Sequence, residues 1–204
     1  MSRSDYYDQL KTLAREIRSR FGLTTPRVLR SDLRRIYRAE GIRIDLWPYK
    51  FRGLRGAYFN DELGPTVVLA KGLPQDPTVF TMAHELKHHL ADRASPVSYC
   101  DASNQSNPIE IGAEIFAAEL IYPDQDYAAD LALMGVTRGA CTPEHLVRLK
   151  HDTQTTLSYS GLAKRCEFMG FSQPGSLARI RWKKLEEEIY GPPIYKLFGR
   201  GRRR

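Results

Sequence analysis

The stretch FTMAHELKHHL, residues 80–90, holds three of the chain's five histidines. Within it, His84-Glu85-Leu86-Lys87-His88 fits the pattern H-E-x-x-H. On a helix, positions i and i+4 lie one turn apart on one face, so His84 and His88 can aim ring nitrogens at a common point. Glu85 sits about 100° around the helix from His84, near enough to reach a water at that point without ligating an ion there. Two neutral imidazoles, a third protein ligand and an open position for water make a zinc site suited to hydrolysis. The ion lowers the pKa of water toward about 7, and a neighbouring carboxylate takes the proton. The same spacing arises by chance on exposed amphipathic helices. Here Val79, Phe80, Ala83, Leu86 and Leu90 give the segment a buried side, where unligated histidines cost desolvation.

A third ligand has to come from a neighbouring element. Asn107-Pro108 reads as an N-cap and first-turn pair opening the helix PIEIGAEIFAAELIY, on which Glu110 and Glu114 are one turn apart. One can ligate, and the other can accept the outer N–H of a ligating histidine and fix its tautomer. Each also has an ordinary reading. Glu110 stands at the N3 position of a capping box, and Glu114 can be a solvated helix residue.

Working outward, SDYYDQLKTLAREIRSRFG and RSDLRRIYRAEG read as two helices, with Ser31 as N-cap of the second and Gly22 and Gly41 as stops. IRIDLWPY, GAYF and PTVVLA read as three strands. Asp76-Pro77 then opens the motif helix, expected to run to about Ala94, and the polar stretch RASPVSYCDASNQSN reads as a loop. Further helices are expected from Pro123, from Thr142-Pro143, in GLAKRCEFMGF and in SLARIRWKKLEEEIY. Helices, a small sheet and more helices, in that order, make an α+β fold.

The 204 residues suffice for one sizeable domain, and 27% charged content is ordinary for a globular chain. No run of about 18 apolar residues suggests a membrane span, and the charged N-terminus lacks a signal-peptide core. Cys100, Cys141 and Cys166 are odd in number and far apart, which fits a reducing, cytoplasmic setting. The net charge of +7 is concentrated in the first fifty residues and in the ending KLFGRGRRR. These basic ends are candidates for electrostatic contact with nucleic acid, or are simply solubilising.

FTMAHELKHHL followed by EIGAEIFAAELIYP, residues 110–123, resembles the ImmA/IrrE metallopeptidases, which pair an F-T-x-A-H-E-x-x-H helix with an E-x-x-A-x-x-F-A-A-x-L-x-x-P helix. LRGAYF and PTVVLAKGLP resemble the strands before the motif in that family, and the likeness covers roughly residues 30 to 125. It implies one zinc ion held by His84, His88 and Glu110, with Glu85 as the catalytic glutamate. Position 114, commonly Asn or Asp in such proteins, is Glu here; Lys87 stands where Gly is frequent; and the motif ends Leu120-Ile121-Tyr122-Pro123.

The resemblance further implies a zincin-like, gluzincin-like architecture, mainly helical, with a small three-stranded sheet before the H-E-x-x-H helix. The expected organisation is a metallopeptidase core with its N-terminal helices over 1–125, a helical subdomain over 126–190 and a basic tail over 191–204. The implied activity is a zinc-dependent endopeptidase whose protein substrate is a helix-turn-helix transcriptional repressor in a stress or mobile-element response. The alternative is a regulator that binds a repressor or DNA without cutting. Donors to the reaction's oxyanion are sought among Tyr58, His89, Tyr122, His145 and Arg165, with Tyr58 named first because its strand can line a cleft and His89 set aside because it points about 100° away from the ligand beside it. PTVVLA, as an edge strand, would pair with an extended substrate. HLVRLKHDTQTTLSYSGLAKRCEFMGFS has the cadence of a helix-turn-helix, with a plain packing reading through Leu146, Val147, Leu149, Leu162, Ala163 and Cys166.

Overall fold

The computed structural model describes residues 2–48, 55–93, 97–99 and 107–193, with the backbone alone for 97–99. The elements run α1 (Arg3–Phe21), α2 (Arg30–Ala39), β1 (Arg43–Trp47), β2 (Gly56–Asp61), β3 (Gly64–Ala70), α3 (Gln75–Ala91), β4 (Val97–Tyr99), α4 (Pro108–Ile121), α5 (Asp124–Leu133), α6 (Pro143–Thr153), α7 (Tyr159–Phe168) and α8 (Trp182–Tyr190). The α+β class and the three strands before the motif helix are as expected. None of the described helices is long and apolar enough to cross a membrane.

The helix ends follow local chemistry. Ser2 and Asp5 form a capping box at the start of α1, and Gly22 closes it at φ +64°, a left-handed conformation that glycine adopts without strain. Asn107 caps α4 by accepting from the Ile109 N–H, and Pro108 takes the first turn, as the sequence predicts. Two starts differ from expectation. At α2, Ser31 lies inside the first turn, and the Asp32 carboxylate accepts from the Leu29 N–H instead. At α3 the helix begins at Gln75, one residue before Asp76. The last helix is shorter than SLARIRWKKLEEEIY suggests, because turns occupy residues 174–179 and helix begins only at Trp182.

The sheet order is β1-β3-β2-β4, with β1 parallel to β3 and the other two pairings antiparallel. PTVVLA is therefore no edge strand: β3 is paired on both sides, which corrects the expectation that it receives substrate. Its β-branched run is the signature of an interior strand, and Val67 and Leu69 are fully covered. Among the described strands, the edges are β1 and β4. Strand β4 comes from the stretch read as a loop; three residues are too few for alternation to show, and the strand exists only by pairing with Ala57, Tyr58 and Phe59.

The chain forms two compact units. One comprises residues up to Tyr127 with Thr155–Ser158; the other comprises Ala128–Gln154 and the residues from Tyr159 onward. In the first, α3 lies against β2, β3, α2 and α4, and α1 lies along α4. Gly112 permits that last approach, since a Cβ there would meet Leu10 Cδ1 at 2.7 Å and Tyr6 Cε1 at 3.0 Å. In the second, α6 packs on α7 and α8, and Leu146, Val147, Leu149, Leu162, Ala163 and Cys166 are buried together. Cys141 and Cys166 are buried free thiols. Cys100 and the basic tail from residue 194 lie outside the described residues.

Candidate metal centre

Helix α3 is buried from Thr81 through His89 without a break. Its three-dimensional roles divide by stripe. Thr81, Glu85 and His89, spaced by four, face β2; His84 and His88 face Glu110 on α4, and Asp92, four residues further on, lies beside His88.

The sheet-facing stripe is set by β2. A Cβ on Gly56 would stand 2.5 Å from Thr81 Cγ2 and 3.1 Å from Glu85 Oε1, so only glycine lets the strand close on the helix there. Two residues along β2, the Tyr58 hydroxyl lies 3.1 Å from His89 Nδ1. Two strand residues and four helix residues both advance about 6–7 Å, which keeps Gly56 on Glu85 and Tyr58 on His89. Arg93 Nη2 sits against His89 Nε2 and can only donate, so that nitrogen accepts and Nδ1 carries the proton toward Tyr58. Burial, reinforced by the Arg93 charge and opposed by Glu40, pushes the His89 pKa down to about 4, which keeps the ring neutral. Burial likewise raises the Tyr58 phenol, with Arg93 opposing. The third histidine of the motif region and Tyr58 thus face each other rather than the His84–His88 stripe.

On that stripe, His84 Nε2 is 3.3 Å from His88 Nε2 and 3.1 Å from Glu110 Oε2, and His88 Nε2 is 3.6 Å from Glu110 Oε1. The ligating atoms of His84, His88 and Glu110 all fall within 4.8 Å of one another, a group able to hold a metal ion. A tetrahedral zinc with bonds of about 2.0–2.2 Å requires ligand atoms spaced by roughly 3.3–3.6 Å, and the separations here, 3.1, 3.3 and 3.6 Å, lie close to that. The donor set, two imidazole nitrogens and one carboxylate, also suits that ion. His88 Nδ1 is 2.8 Å from Asp92 Oδ2. In the neutral ring that a metal requires, a proton on Nδ1 would be held by Asp92 and the Nε2 lone pair would face the shared point.

The electrostatics reflect the crowding. Burial disfavours charge on His88, but hydrogen bonds to Asp92 and Glu110 and the charges of Glu85 and Glu110 outweigh it, raising its pKa to about 9. Burial pushes Glu110 up, yet hydrogen bonds from His84 and His88 hold it well below the usual carboxylate range. Asp92 is lowered in the same way, burial being outweighed by His88 and Lys87. Glu85 is fully buried, close enough to His88 for its charge to act there.

Glu114 is exposed on α4, one turn beyond Glu110. Tyr122 is buried against Tyr127, and His145 Nδ1 accepts from the Thr142 N–H at the start of α6. Asp92 went unread in the sequence, although its signal was present as the third member of the 84, 88, 92 spacing.

Among curated proteins, none matches the chain. The family model for peptidase M78, described as the IrrE N-terminal-like domain, matches residues 39–154, which takes in α3, α4 and all four strands. That is more than half of the 204 residues, and the chain belongs to this peptidase family.

Proposed function

We propose that the protein is a zinc-dependent endopeptidase, with His84, His88 and Glu110 as ligands to one ion and Glu85 as general base. The observation that carries this reading is that His84, His88 and Glu110 bring one ligating atom each to within 4.8 Å of one another, with the two imidazoles 3.1 and 3.6 Å from the two oxygens of the carboxylate. Zinc held there supplies Lewis acidity, bringing the pKa of a water toward about 7 and drawing charge from a carbonyl. The Glu85 carboxylate accepts a proton from the attacking water and returns it to the leaving amine nitrogen. Asp92 keeps His88 in the tautomer that leaves Nε2 free to ligate. Glu114 is the proposed acceptor for the outer nitrogen of His84.

An extended peptide can join the sheet only at an edge, and of the two edges β4 adjoins the strand that carries Gly56 and so neighbours Glu85. The substrate class we propose is a helix-turn-helix repressor in a stress or mobile-element response, a cytoplasmic setting that rests on the family likeness. Contact with nucleic acid through basic surface is supported by Arg34, Arg35 and Arg38, exposed together on α2.

One observation favours a second reading, a metal-stabilised regulator that does not cut. Glu85 is 0% exposed, as a purely structural carboxylate between helix and sheet would be. The two separate in one experiment: zinc-loaded parent and Glu85→Gln are each incubated with a proteome-derived peptide library, and new N-termini are counted by mass spectrometry. The peptidase reading expects cleavage by the parent and none by a zinc-replete Glu85→Gln. Equal products from both would remove Glu85 from the chemistry, and no products from either would favour the regulator.

A further inference from the structure

Beside the ligand stripe of α3, on the side opposite Glu85, lies Lys87, whose side chain is fully buried. Its ammonium has a defined set of partners. Nζ donates to Asp92 Oδ2 at 2.6 Å and to the Ile109 carbonyl at 3.0 Å, and lies 5.7 Å from the centroid of the Tyr6 ring, within cation–π range. Both hydrogen bonds end one step from a ligand. Asp92 Oδ2, the oxygen that Lys87 holds, is also the one 2.8 Å from His88 Nδ1. Ile109 immediately precedes Glu110 in the first turn of α4.

We propose that Lys87 is a positioning residue for the metal centre: an internal cation that ties Asp92, and through it His88, to the turn of α4 that presents Glu110. The inference rests on the zinc reading above and deepens it. Two arguments support it. First, α3 and α4 are separate helices, joined through the residues between Ala91 and Pro108, so their ligands share no local geometry. Lys87 gives them a common anchor, with one donor on each side of the join. Second, the charges balance. Glu85, Glu110 and Asp92 bring three carboxylates to the neighbourhood of His88; a divalent ion together with Lys87 offsets them, whereas the ion alone leaves one negative charge in a buried site. A buried ammonium is kept in a fold only when it is paired and hydrogen-bonded, and here Asp92 and the Ile109 carbonyl belong to the ligand framework and Tyr6 to the α1 face packed on it.

The test is Lys87→Met in the full chain, which keeps the length of the aliphatic stem and removes the charge. Zinc affinity is measured by competition with a chromophoric chelator, and the visible absorption of the cobalt(II)-loaded protein reports ligand geometry. We expect zinc binding weakened about 10–100-fold, the range for groups that orient metal ligands, an altered cobalt spectrum, and unchanged far-UV circular dichroism. A second variant, Lys87→Gln, removes the charge but keeps a donor for Asp92 and covers misfolding of the first; it should also bind zinc more weakly than the parent. A merely structural lysine would lower the melting temperature of the apo and zinc-loaded forms alike, with parental affinity and cobalt spectrum, and that result overturns the proposal. So does failure of both variants to fold, which would make Lys87 a folding determinant. Absence of zinc binding by the parent is a separate result: it removes the zinc reading, and this inference with it.

Discussion

Helices α2 and α3 pack against each other in the same unit, and they treat charge in opposite ways. Helix α2 turns Leu33, Ile36 and Tyr37 inward and leaves Ser31, Arg34, Arg35 and Arg38 in solvent. Helix α3 encloses Glu85, Lys87 and three histidines at less than a tenth exposed each. Solvated arginines on an amphipathic helix cost little and specify little. Enclosed ionisable groups cost several kcal/mol each unless their partners are fixed, so the residues of α3 are kept only by an arrangement that satisfies them. The pairwise distances around His84, His88, Glu110, Asp92 and Lys87 are that arrangement. Function is therefore to be sought where the chain buries charge, and the contrast can be tested helix by helix.

The largest expected effect lies on α3. Exchanging Glu85 for Gln should lower the rate of peptide cleavage by about 10²–10⁴-fold while zinc content is retained; substituting Arg38 with Ala on α2 should leave that rate unchanged on a peptide substrate. A parental rate for Glu85→Gln breaks the contrast. Next is the floor beneath Glu85. Gly56→Ala forces a Cβ to within 2.5 Å of Thr81 Cγ2, and should destabilise the fold by about 1–3 kcal/mol, read as a lower midpoint in urea denaturation. A midpoint equal to the parent's would mean that β2 and α3 are not closely seated. Smaller again is the join between the two helices. The Tyr37 hydroxyl donates to the Met82 carbonyl at 2.7 Å inside the core, and Tyr37→Phe should cost about 1 kcal/mol in the same assay. The smallest effect is Arg34→Ala on the exposed face of α2, expected within about 0.5 kcal/mol of the parent; a larger loss would show that the arginine face has a structural partner.

Local signals in the sequence reached the elements that rest on local chemistry. The i, i+4 spacing brought His84 and His88 to one face, and Asn107-Pro108 opened α4 so that Glu110 sits in its first turn. Those signals did not reach facts made by distant pairing. Strand β4 has no pattern of its own and is created by β2. The interior place of β3 depends on β1 arriving parallel to it from across the hairpin. The burial of Lys87 depends on Asp92 and on Ile109, which belong to different elements. His89 divides the two: the helical rotation of about 100° per residue already turns it away from the ligands, but its partner Tyr58 comes from a distant strand.

The central claim is that α3 and α4 jointly hold one divalent ion. The most direct measurement is the zinc-to-protein ratio of the purified chain by elemental analysis, made on the parent and on Glu110→Ala after dialysis at neutral pH. The account predicts one zinc per chain in the parent and its loss in the variant. A parent that holds no zinc even after the metal is supplied at neutral pH would contradict it.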